Sequence, residues 1–134
     1  MTIETYTRAQ MARFAIEEAA SHGGVTNMLA IAHVLRNRVF AGWGDWLEVV
    51  TGAGARRANM DPAPAPDLRT TNVRVLLNRI DDIYTRADSN DLTGGALFYC
   101  EPSRPLAEWF KREILARPED HPRVAHIGPV WFYK

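Results

Sequence analysis

Residues 26–40, "TNMLAIAHVLRNRVF", constrain the fold more than any other stretch of this chain. At about 3.6 residues per turn, Met28, Leu29, Ile31, Val34, Leu35, Val39 and Phe40 spread around most of a helix's circumference. A helix apolar on nearly every side predicts a central, buried element. Its polar exceptions are His33, Arg36, Asn37 and Arg38. His33 and Asn37, four residues apart, share one side of it. A buried asparagine needs hydrogen-bond partners, and two readings follow: Asn37 ties the central helix to a loop, or it contacts a substrate.

The flanking segments supply the surroundings. A first helix is expected to start at Thr7 as N-cap and to end before "SHGG", where Gly23 and Gly24 are stop signals. "DWLEVVTG" predicts a short helix capped by Asp45. Residues 53–67 are rich in Pro and Ala without periodicity and read as a long loop, a candidate lid or partner surface. "TTNVRVLLNRIDDIYTRA" is amphipathic, with Val73, Leu76, Leu77, Ile80 and Tyr84 as its apolar stripe. After the turn cluster "DSNDLTGG", "ALFYC" reads as a short strand and "LAEWFKREILA" as a helix. The tail "RVAHIGPVWFYK" is β-like, broken at Gly128–Pro129. Helices dominate, and the strands come late rather than alternating with helices. The expected fold class is helix-dominated α+β: a single domain over residues 1–134 with a few short antiparallel strands late in the chain.

Sixteen basic and 16 acidic residues give a formal net charge of zero, which argues against nucleic acid as the main partner. The single cysteine, Cys100, precludes an intrachain disulfide, and no Cys/His spacing suggests a metal site, so neither metal nor cofactor is expected. "MTIETYTRAQMARF" has no basic head followed by an apolar stretch, so a Sec signal is not expected. No apolar run approaches the ~20 residues of a membrane span, so stable membrane insertion is not expected either. The protein is expected to be a monomer.

Chemistry enters with the first helix, "RFAIEEAASHGG". Adjacent residues on a helix point about 100° apart, so Glu17 and Glu18 cannot share an environment. Met11, Phe14 and Ala15 define an apolar edge, and Glu18 falls within it at i+7, i+4 and i+3. Glu17 falls with Gln10, Arg13 and Ser21, the expected wet side. Two readings are open for Glu18. It is a helix-end carboxylate, exposed or paired with Arg36 or Arg38; or it is a carboxyl in a semi-apolar cleft, held protonated by desolvation and able to donate a proton. The second is what a general acid in glycosidic cleavage requires.

Other candidates have plainer alternatives. Cys100 could act as a nucleophile with one of His22, His33, His121 or His126, or be a small buried apolar residue. In "DLTGGALFYC", Thr93 and the Gly94–Gly95 backbone either make a tight turn or line a cleft, where glycines let a flat ligand approach closely. Aromatics crowd the C-terminal half, and those not in the core suit a sugar ring.

Four segments in order, "IEEAASHGG", "NMLAIAHVLRNRV", "DLTGGALFY" and "IGPVWFY", resemble the SleB-like cell wall hydrolases, the family named for the bacterial spore-cortex-lytic enzyme. The similarity runs from about Arg13 to Tyr133. Leu92 stands where the family usually has proline, and nothing in residues 53–67 is similar to the family's Gln-Phe-Ser piece. The resemblance implies a lysozyme- or lytic-transglycosylase-like fold, cleavage of peptidoglycan between N-acetylmuramic acid and N-acetylglucosamine, and Glu18 as the essential acid. Thr93, Gly94, Tyr99, Tyr133 and Asn37 are the candidate substrate-binding residues; the motifs fix no second acid, and Asp91 and Glu101, which flank the expected strand, are the candidates for one. A substrate outside the cytoplasm implies synthesis inside and action at the cell wall, after release by a holin, in a phage particle or by a dedicated secretion system. The competing expectations are a non-catalytic peptidoglycan-binding or phage-structural module with the same fold, and a cysteine hydrolase.

Overall fold

The structure, a computed structural model, describes residues 4, 7–8, 10–15, 25–53, 71–86 and 90–134, with backbone alone for 51–53 and 71–77. The central helix is α1, Val25–Phe40, and all of residues 27–36 together with Arg38 are buried. Its C-terminus closes with Trp43 N–H on the Arg38 carbonyl (3.0 Å) and Gly42 N–H on that of Val39 (3.1 Å). That pair of bonds is a Schellman motif, and Gly42 takes the left-handed φ of +86° that it requires.

Two layers enclose α1. On one side lie α2, Trp46–Ala53, and α3, Thr71–Thr85. Asp45 caps α2, its Oδ1 accepting from Glu48 N–H at 2.8 Å. Met28, Leu29, Ile31, Ala32 and Leu35 pack here on Trp46, Val49 and Val50 of α2 and on Ile80, Ile83 and Tyr84 of α3. The helical residues 10–15 add Met11, Phe14 and Ala15 to the same core. Fully burying one such large side chain stabilises by about 1.5–3 kcal/mol, so this cluster is the main reason α1 is held.

The other side of α1 meets a sheet of β1, Phe98–Cys100, β2, Arg123–Ile127, and β3, Val130–Tyr133. The order is β1-β3-β2 and both pairings are antiparallel, with a register shift between Arg123 and Ala125. Alternation along β3 feeds two layers. Val130 and Phe132 pack with Ala30 and Val34 of α1 and with Ala96. Trp131 and Tyr133 pack instead with Cys100, Phe110 and Ile114. The last two belong to α4, Glu108–Phe110, and the wider π-helical turns Lys111–Leu115 that continue it. The β2–β3 turn presses on α1 so closely that a Cβ at Gly128 would lie 3.2 Å from Asn27 Nδ2. The fold is therefore α+β, with helices dominating and a three-stranded antiparallel sheet late in the chain.

Two local expectations are corrected. Thr7 is itself helical and buried, and Arg8 N–H bonds to the Glu4 carbonyl at 2.9 Å, so Thr7 is not the N-cap. Gln10 is also buried, so the side of the first helix that carries it is not uniformly wet. Residues 54–67 of the expected loop lie outside the described residues, as do the side chains of Val73, Leu76 and Leu77. Ile80 and Tyr84 of that stripe are buried, and the Tyr84 hydroxyl donates to the Met11 carbonyl at 3.4 Å.

Candidate functional site

Asp91 knots the turn after α3 to the central helix. Its Oδ1 accepts from Thr93 N–H (2.8 Å) and the Thr93 hydroxyl (2.6 Å), and its Oδ2 from Gly95 N–H (2.9 Å) and Asn37 Nδ2 (2.8 Å). Asn37 Nδ2 also donates to the Ala96 carbonyl at 3.0 Å. Gly94 and Gly95, at φ +66° and +88°, curl the backbone so that the N–H of Gly95 returns to the carboxylate. Burial pushes the Asp91 carboxyl up, but the hydrogen bonds from Thr93, Asn37 and Gly95 outweigh it and hold the group below its ordinary value. Asp91 is thus ionised, with both oxygens doubly occupied.

Arginines extend the seam. Arg38 Nε donates to the Leu97 carbonyl (2.8 Å), and its guanidinium lies 4.9 Å from the Trp43 ring and 5.9 Å from that of Tyr99. Arg36 donates to the Arg86 carbonyl (2.8 Å) and stacks on Phe40 at 4.4 Å. Through these bonds α1 holds both the end of α3 and the entry to β1.

Beside the knot lies a cleft of about 340 Å³ between α1, α3 and residues 90–92. Leu29, Ile83 and Leu92 give it apolar walls, and His33, Arg79, Asp82, Arg86 and Asn90 its polar groups. His33 is only 2% exposed. Its Nδ1 sits 3.8 Å from Asp91 Oδ1, too far for a hydrogen bond, and has no partner. Burial lowers its pKa below the ordinary 6.5, the Asp91 carboxylate opposes this, and Arg36 adds to the lowering. The imidazole is therefore neutral at pH 7.

The residues singled out from sequence fall in three places. Asn37, Thr93 and Gly94 come together around Asp91: Thr93 is fully buried, its hydroxyl also accepting from Ala96 N–H at 3.3 Å, while Gly94 is exposed. Of the two readings of Asn37, the tie to a loop describes its observed bonds. Tyr99 pairs with Phe132 on the α1 face of the sheet, their rings 6.1 Å apart. Tyr133 pairs with Phe98 on the opposite face, against Phe110. Cross-strand partners share a face, so the two tyrosines look into different layers. Glu17 and Glu18 lie outside the described residues.

Glu101 is held at 2.8 Å by Arg104. The Cys100 thiol is buried, and burial raises its pKa, although a hydrogen bond with Tyr133 opposes the rise. That is the reverse of an activated thiolate. Among the described residues no group of three or more His, Cys, Asp or Glu is placed to hold a metal ion, and no helix is long and apolar enough to cross a membrane.

Sequence reasoning missed the cleft. Arg79, Asp82 and Arg86 carry helical spacing, but so does any solvated helix face. The signal that distinguishes them is His33 on the facing helix, one turn before Asn37. Compared with family models, curated proteins and solved structures, the chain matches none.

Proposed function

We propose that this protein belongs with the SleB-like cell wall hydrolases, has a lysozyme-like fold, and cleaves the glycan strand of peptidoglycan between N-acetylmuramic acid and N-acetylglucosamine. The observation that carries the reading is the way the segments of resemblance fold together. "NMLAIAHVLRNRV", "DLTGGALFY" and "IGPVWFY" are far apart in sequence, yet Asn37 bonds Asp91 and the Ala96 carbonyl, and β1 pairs with β3. Segments that resemble one family and also form one interlocked unit are better support than the same segments scattered. A helix-rich α+β chain with a small late antiparallel sheet is compatible with that family's fold.

Glu18 is the general acid. Protonated, it gives its proton to the bridging oxygen as the C1–O bond of the muramic residue breaks. The 6-hydroxyl of the same sugar then attacks C1, and Glu18, now a carboxylate, takes the hydroxyl proton. The products are a 1,6-anhydromuramic end and a free 4-hydroxyl, and the glutamic acid is regenerated. Transglycosylation is favoured over hydrolysis because a hydrolase usually enlists a second carboxylate. Asp91, a candidate for that part, has its acceptor positions filled by Thr93, Gly95 and Asn37.

The test is digestion of purified peptidoglycan followed by mass spectrometry. Wild-type protein should release anhydro-muropeptides, and Glu18→Gln should lower the rate by roughly 10²–10⁴-fold. Reducing-end products would reassign the reaction to hydrolysis. Glycan binding without turnover in the wild type would make the protein a binding module, and undiminished cleavage by Glu18→Gln would end the assignment of the acid.

A further inference from the structure

We draw no further inference here: the strongest candidate, the surface patch at the turn between α1 and α2 where the exposed rings of Phe40 and Trp43 lie against the buried side chains of Arg36 and Arg38, carries nothing, because nothing among the described residues shows what would cover it.

Discussion

One helical turn separates His33 from Asn37. Both side chains leave the same side of α1, and both are polar where the helix is buried or nearly so. Asn37 gives its Nδ2 to two acceptors, Asp91 and the Ala96 carbonyl. His33 lines the neighbouring cleft, but its Nδ1 is enclosed, 3.8 Å from Asp91 Oδ1 and without a hydrogen-bond partner. The difference separates two uses of a buried polar group. Where hydrogen bonds are complete, the group fixes one chain segment against another and has nothing left for a ligand. Where one is missing, the fold carries the cost of an unpaired buried group.

The largest effect should come from breaking the complete side. Asp91→Asn keeps the shape but replaces one acceptor oxygen with a donor, which then faces donors already there: Thr93 on one edge, or Gly95 and Asn37 on the other. Unpaired buried donors and a lost charge-assisted network should cost about 2–4 kcal/mol in urea unfolding. A loss under about 1 kcal/mol would show that the knot does not hold α1 to the turn, and the contrast with His33 would fail at its stronger end.

This knot shows what a sequence can and cannot disclose here. The buried character of α1 was legible, because seven apolar residues on all sides leave no other place for the helix. The late strands and the Asp45 cap were legible from local chemistry. The partnership of Asn37 was half legible: a buried asparagine calls for partners, but nothing local says that one is 54 residues on. Asp91 itself read as a possible second acid, since a lone aspartate in a turn shows none of the donors that gather around it. Alternation separates Trp131 and Tyr133 from Val130 and Phe132 in any strand, yet which layer covers each face depends on the β1-β3-β2 order. The cleft was hidden for the same reason, because it needs α1 and α3 side by side.

A second, smaller effect should appear on acidification. Folded Asp91 and folded His33 both sit below their ordinary pKa values of 3.8 and 6.5. The unfolded chain therefore binds more protons at both positions, and stability falls as pH falls. For His33 the loss begins below about 6.5 and continues through its lower folded value; for Asp91 it begins below about 3.8. Urea midpoints measured from pH 8 to pH 3 should therefore decline in two stages. A midpoint flat between pH 7 and pH 5 would remove His33 from the account and leave Asp91.

The smallest effect is the most discriminating. His33→Phe puts an apolar ring of similar size against Leu29 and Ile83, at the cost of the bond to the Asn90 backbone. Asn90 is exposed, so water can take that bond over. Removing a polar atom that had no partner also removes its desolvation cost, and the two changes should nearly cancel, to within about 1 kcal/mol. The upper stage of the acid decline should vanish with the imidazole although the fold is intact. If His33→Phe instead destabilises as strongly as Asp91→Asn, the histidine is a structural tie like Asn37.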